Sequence, residues 1–361
     1  MTKVQSMQIN TAARDLDLSK KRKKSLSLSI NCILILLLIV ALIISICTGR
    51  YSIPIPQLIN IILGKLFGIK VSWPPTVETV LFNVRLPRII VAIMVGSSLA
   101  TAGSTYQGLF KNPMVSPDIL GATAGAGFGA AVGILCSLSS NEIQISAFVF
   151  GIAAVSLSYS LSKIIGRKSN VTLILVLTGM VVQSMFTAFI SITKYVADPE
   201  SKLPAITFWL MGGLNTSTWK DVTVMIIPLI IASVPLFLLR YKINVLSFGD
   251  EEAQAMGVDT NKIRIIIIIC STLLTASAVS VCGMVGWVGL IIPHIARIIT
   301  GPNYKKLLPA SFLIGGTYLL LIDDIARSLF VTEIPLGILT SIIGAPFFLF
   351  LLIRGKNKEV V

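Results

Sequence analysis

The chain has 361 residues, 54% of them hydrophobic and only 13% charged, with a formal net charge of +14. A soluble globular domain is about 45–50% apolar and about 25% charged, so this composition excludes an ordinary soluble fold and points to a polytopic membrane protein. The basic excess reads as Lys and Arg gathered on one side of a membrane, not as a nucleic-acid surface.

In chain order, the run KKRKK (Lys20–Lys24) sits in a basic tail, residues 1–29, ahead of the apolar segment INCILILLLIVALIISIC. At about 18 residues this segment is long for the core of a secretory signal, and SICTGRYS is a poor cleavage site. It reads as an uncleaved first span with its N-terminus in the cytoplasm. Stretches able to cross about 30 Å of hydrocarbon are expected at 30–49, 86–107, 119–138, 144–165, 171–194, 221–240, 263–283, 286–300, 307–330 and 335–353. An even number of passes returns the C-terminal tail, 354–361 with Arg354, Lys356 and Lys358, to the side of Lys20–Lys24. That side also collects Lys111, Lys163, Arg167, Lys168, Arg240, Lys242, Lys262, Arg264, Lys305 and Lys306, which fits a cytoplasmic face. The expected fold is all-α, with about ten transmembrane helices, both termini cytoplasmic, and one membrane domain over 30–353.

The second span opens on RLPR, with Arg85 and Arg88, and closes on Asn112-Pro113 and Ser116-Pro117, where each residue before proline is pushed out of the α region. Small residues in GSSLATAG and GATAGAGFGAAVG permit close backbone approach, either as plain packing or along a pathway that opens and shuts. An outer segment, 195–221, carries Trp209 and Trp219, suited to a membrane interface. An inner segment, 241–264, holds a short helix: Ser247 three residues before Asp250 is a weak capping-box match, Asp250, Glu251 and Glu252 suit a helix N-terminus, and Gly257 suits its end. Pro293 predicts a bend or early stop in the eighth span.

Asp323, Asp324 and Arg327 form the main ionisable group within the spans. Their spacing permits an Asp323–Arg327 pair (i,i+4) or an Asp324–Arg327 pair (i,i+3), and charges at such depth stand either for a structural ion pair or for a proton relay. His294, the only histidine, reads as a hydrogen-bonding partner for backbone freed by Pro293, with a metal or proton site as its rival. Cys32, Cys47, Cys136, Cys270 and Cys282 lack paired spacing and read as small packing residues. The sequence contains no G-x-x-x-x-G-K-[ST] phosphate loop, no G-x-S-x-G elbow, no H-E-x-x-H and no Cys/His ligand set, so no catalytic, cofactor or metal residues are assigned.

Four landmarks occur in order: RLPR leading into VGSSLATAGSTYQGLFKNPMVSPDILGATAGAGFGA, then FGDEEAQAMGV, GMVGWVGLIIPHIARIITGPNYKKLLPAS, and EIPLGILTSIIGAPFFLFLL. Together they resemble, over about residues 30–353, the FecCD-type permease subunits of ABC importers for iron-siderophore, haem and cobalamin. The resemblance implies a ten-helix subunit paired with a second permease, as homodimer or heterodimer, and embedded in the lipid of the cytoplasmic membrane. Two separate ATPase subunits would hold ATP and Mg beneath it, and an extracytoplasmic substrate-binding protein would dock outside. It assigns docking to Arg85, Arg88 and Arg327, with lipid snorkelling as the rival for the first two. It assigns ATPase coupling to Gly249, Asp250, Glu251, Ala253 and Gly257, with small Ala253 and Gly257 leaving a flat face for the partner. Gln107, Asn112, Pro113 and Gly121 become pathway or gate candidates. Phe248 stands where such permeases commonly carry leucine, which keeps an apolar anchor. A ferric siderophore is the expected cargo, haem or cobalamin the alternatives, and an ion-gradient-driven secondary transporter the rival mechanism. The latter predicts buried acids repeated in both halves, and the sequence lacks them.

Overall fold

The computed structural model describes residues 30–49, 53–67, 74–166, 171–330 and 332–356, and all regular structure among them is helical. Lys20–Lys24 and the rest of the basic tail lie outside the described residues, as do Arg167, Lys168 and the chain beyond 356. Each of the ten expected spans coincides with a helix. Seven helices are long and apolar enough to cross a membrane, α1 (Ile30–Cys47) among them. The other six are α4 (Leu86–Leu109), α6 (Ser140–Ile165), α7 (Val171–Val196), α9 (Trp219–Leu246), α11 (Thr260–Cys282) and α13 (Tyr304–Ser328). The shorter α5 (Ala122–Leu135), α12 (Val288–Thr300) and α14 (Leu336–Lys356) complete the set.

Four further helices lie between these. α2 (Ile55–Phe67) and α3 (Pro75–Thr79) occupy the stretch between the first two spans, α8 (Lys202–Met211) lies within the outer segment, and α10 (Asp250–Ala255) within the inner one. A six-residue π-turn, Val80–Arg85, joins α3 directly to α4, so the second span is one continuous helical rod from Pro75 to Leu109. π-turns leave carbonyls poorly matched within the helix, and the indole Nε1 of Trp219 donates to one of them, Phe82 O, at 2.8 Å.

α4 is the axis of the bundle. Almost every residue from Pro87 to Leu109 is buried, against α9, α11, α12 and α13. In lipid, helices gain little from hiding apolar surface from one another, so close backbone contact and interhelical hydrogen bonds must hold them. Both are present. A methyl group on Gly96 would sit 2.1 Å from Gly315 O on α13, and one on Gly103 would sit 1.8 Å from Gly289 O on α12. Ser97 donates to Phe312 O at 2.8 Å, the hydroxyls of Thr105 and Ser271 meet at 2.8 Å, and those of Tyr106 and Thr272 at 3.1 Å.

Local expectations fared unevenly. Pro293 does not stop α12, which runs on to Thr300: the proline lies inside the helix, where it costs one bond to the carbonyl of Gly289, and the helix continues past it. Ser247 does not cap the inner helix. It closes α9, its hydroxyl donating to Asn244 O, and Gly249 occupies the cap position. The capping boxes are elsewhere, at Ser139 with Glu142 ahead of α6 and at Thr218 with Asp221 ahead of α9. Of the cysteines, Cys270 and Cys282 are packed inside, whereas Cys32 and Cys136 are exposed and so are not packing residues.

The backbone contacts of α4 yield a prediction. Gly96→Ala and Gly103→Ala should each destabilise the protein by about 1–3 kcal/mol through overpacking. Gly286→Ala, where an added methyl meets nothing within 4 Å, should leave the midpoint of thermal unfolding in detergent unchanged.

Candidate functional site

Three arginines and three carboxylates interlock at the outer ends of α1, α4 and α13. The Arg88 guanidinium grips Asp323 with two arms, Nε to Oδ2 at 2.9 Å and Nη2 to Oδ1 at 2.8 Å, and Nη1 reaches Glu333 Oε1 at 3.0 Å. Arg327 Nη2 donates to Asp324 Oδ1 at 2.5 Å and to Ser45 O at 2.5 Å. The Ser45 hydroxyl in turn donates to Asp324 Oδ1 at 2.7 Å. Arg85, delivered by the π-turn, donates to Ile46 O. The sequence left two pairings open for Arg327, and the i,i+3 pair with Asp324 is the one formed. Asp323, one residue earlier, points to a different helix and takes Arg88, so the i,i+4 pairing is absent.

All three guanidinium groups are buried, as are Asp323 and Asp324. Glu333 is the partner that remains open, with its side chain 30% exposed. Arg88 and Glu333 also line a cavity of about 390 Å³, walled by Gln144, Trp209 and Asn215. Arg85, Arg88 and Arg327 are therefore not free surface cations. Charged groups withdrawn from water in this way are costly unless paired. The fork geometry of Arg suits the two-armed contact to Asp323, while Asp324 is held through Oδ1 alone and its buried Oδ2 has no hydrogen-bond partner among the described residues.

At the other end of the bundle, α10 is a short hook between α9 and α11. Gly249 enters it with φ +148°, and Gly257 leaves it with φ +77° in open space. Asp250 is engaged by Arg264 Nη2 of α11 at 2.6 Å, and Gln254 reaches the Thr260 hydroxyl at 3.2 Å. Ala253 is fully buried against its own chain. The flat face expected from Ala253 and Gly257 thus turns inward at Ala253, because small residues four apart mark one helix face without saying which way it looks. The outward face is Phe248 (73% exposed) and Met256 (58%), with Glu251 and Glu252 also exposed. Asp259 caps α11, and the backbone N–H of Lys262 is the main cause holding its carboxyl below the usual range.

The four pathway candidates separate into two environments. Gln107 is buried, its amide donating to Val115 O and Leu290 O, both at 3.3 Å, while its carbonyl accepts from Arg297 Nη2 at 3.0 Å. It ties the end of α4 to the following turn and to α12. Asn112 and Pro113 are exposed in that turn, where Asn112 Oδ1 accepts from Met114 N at 2.9 Å. Gly121, left-handed at φ +85°, starts α5 beside the backbone of Gln183 on α7. His294 is half-buried on α12.

The family model for the FecCD transport family matches residues 37–354. The chain belongs to this family. It is 41% identical over 323 residues to the molybdate import system permease protein of Haemophilus influenzae, covering 89% of this chain and 95% of that one. It is 39% identical over 282 residues to an iron chelatin transport system permease of Helicobacter pylori, covering 78% and 85%. Further FecCD relatives are named for cobalamin and hemin. Among solved structures, an inward-facing metal-chelate type ABC transporter superposes with a TM-score of 0.81 at 40% identity, covering 90% of this chain and 99% of that one. The protein is thus a multi-pass membrane permease of the FecCD type.

Four residues of these sites were not singled out from the sequence. Ser45 and Glu333 complete the outer cluster, and Arg264 and Arg297 hold the inner hook and the Gln107 turn. Glu333 stands at the head of the EIPLG landmark, and Arg264 was counted only as a basic residue of a loop.

The outer cluster makes a stability prediction. Asp323→Ala leaves a buried guanidinium with one partner fewer and should cost about 3–5 kcal/mol. The double variant Arg88→Met with Asp323→Leu should recover much of that loss in a double-mutant cycle of detergent unfolding midpoints.

Proposed function

We propose that this FecCD permease forms the translocation pathway of an ATP-driven importer in the cytoplasmic membrane. It would work as a dimer with a second permease chain, over two ATPase subunits that hold ATP and Mg, and beneath an extracytoplasmic substrate-binding protein. The carrying observation is the inner hook: a short helix that exposes Phe248, Met256, Glu251 and Glu252 at an end that otherwise gathers basic residues. Lys305 stacks there over Tyr241 at 4.8 Å, and Arg240 reaches Lys305 O at 3.5 Å. An apolar pair flanked by carboxylates suits a groove with an apolar floor and basic rim on an ATPase. The basic surroundings support a cytoplasmic location for this end.

In this reading ATP binding draws the ATPase subunits together, and the hooks carry that displacement into the bundle. The chain itself contributes two packings of the same helices and no covalent chemistry. At the outer face, docking through Arg88 becomes an exchange: a carboxylate of the binding protein replaces Glu333, the partner already open to solvent. Arg327, already paired with Asp324, stays behind it as part of the scaffold that holds α13 in place.

A ferric siderophore or a similar metal chelate is the cargo we propose, supported by the iron-chelatin relative and the metal-chelate neighbour. The second reading is an oxyanion such as molybdate, favoured by the Haemophilus influenzae relative. Uptake of labelled ferric siderophore, haem, cobalamin and molybdate by a strain lacking and then regaining this gene separates them. Restored ferric siderophore uptake supports the first reading, and restored molybdate uptake alone overturns it.

The coupling role has its own test. Phe248→Ser, or Glu251→Lys with Glu252→Lys, should reduce co-purification of the ATPase subunits and ATP-dependent uptake by about tenfold or more, the effect of losing an interface anchor. Undiminished uptake in both variants counts against it.

A further inference from the structure

On the flank of the bundle, α6 and α11 part to form an apolar furrow of about 310 Å³, walled by Ile152, Val155 and Tyr159 on one side and Ile265, Ile269 and Leu273 on the other. Towards the end that bears the hook it runs into a polar cavity of about 370 Å³ lined by Lys163, Asn261 and Arg264. Tyr159 and Ile265 line both, so the two form one slot: greasy along its length, cationic at its head. Its rims face outward, with Ile269 60% exposed.

The head of the slot is incompletely satisfied. Lys163 is exposed, its ammonium 5.9 Å from the centre of the Tyr159 ring. Arg264 is buried, with Nη2 on Asp250 at 2.6 Å and Nη1 on Asn261 Oδ1 at 3.3 Å. Its Nε, shut away from solvent, has no acceptor among the described residues. A buried N–H without an acceptor is costly to the fold. Lys163 and Arg264 against Asp250 leave one net positive charge.

We propose that this slot binds an anionic phospholipid, with one acyl chain along the furrow and the phosphate beside Lys163, where a shift of the Arg264 side chain brings its Nε to a phosphate oxygen. An apolar groove ending in a basic pocket between helices is complementary to both halves of such a molecule, and a free inorganic anion would make no use of the furrow. Because the same guanidinium holds Asp250 at the first turn of α10, an occupied slot braces the hook from behind. Assignment to the cytoplasmic leaflet rests on the orientation proposed above; the site does not.

The full-length chain in nanodiscs of phosphatidylcholine, doped with photoactivatable phosphatidylglycerol, tests this by mass-spectrometric mapping of the adducts. Labelling should concentrate on residues 152–163 and 261–273 and exceed that by photoactivatable phosphatidylcholine. Lys163→Gln should lower it about fivefold, the factor given by about 1 kcal/mol per basic residue near an anionic bilayer. Ser156→Trp, which plugs the furrow and leaves the basic head intact, should lower it at least as far, and excess inorganic phosphate should not compete. Both substitutions are at exposed positions, and circular dichroism checks that the helices persist. Equal labelling by the zwitterionic probe, indifference to both substitutions, or competition by phosphate with no effect of Ser156→Trp overturns the proposal. So does loss of labelling when ATPase subunits are added, which would make the slot a protein interface.

Discussion

Asp323 and Asp324 are adjacent on one helix and face different neighbours, and the outer half of the bundle is organised by that divergence. Successive residues on an α-helix point about 100° apart. Asp323 therefore meets Arg88 on α4 while Asp324 meets Arg327 on its own helix and Ser45 on α1. A charge buried here without its partner would be excluded by the cost of desolvation. The three helices can consequently come together in one register, the one that completes both pairs. Such pairs add little net stability over a well-packed apolar core, and their value lies in excluding other arrangements. We regard register as their role here.

The inner end is built on a different plan. The hook presents apolar and acidic side chains outward and is anchored to the body chiefly by Ala253 and by the Asp250–Arg264 contact. A bundle fixed by ion pairs at one end and by a light anchor at the other suits a device worked from the lightly anchored end. Between the two ends runs α4, whose glycines bring it into backbone contact with α12 and α13 and whose hydroxyls reach α11. Contacts made by backbone and short side chains slide with little repacking, whereas interdigitated large side chains would lock.

The expected spans were readable as apolar runs, seven of them long enough to cross a membrane and three shorter, and the one-sided distribution of Lys and Arg supported their number. α2, α3 and α8 were not expected: α3 and α8 are short, and α2, although as long as α12, falls in a stretch read as the connection between the first two spans. RLPR drew attention as punctuation at a helix mouth, but the π-turn that aims Arg85 leaves no mark in residue spacing. Spacing likewise limited Arg327 to two partners without choosing between them. The choice is made by Arg88, which lies 235 positions from Asp323. Ala253 misled for a related reason: a helical stripe says which residues share a face, and only the neighbouring helices say which face is covered.

The central claim is that this FecCD permease is a passive gate worked by ATP hydrolysed on another chain. Solute accumulation in proteoliposomes tests it most directly, with the chain reconstituted alone or together with its ATPase subunits and binding protein. The account predicts uphill transport only in the complete assembly and only with ATP inside the compartment that the hooks face. Accumulation by the chain alone under a proton or sodium gradient would contradict it.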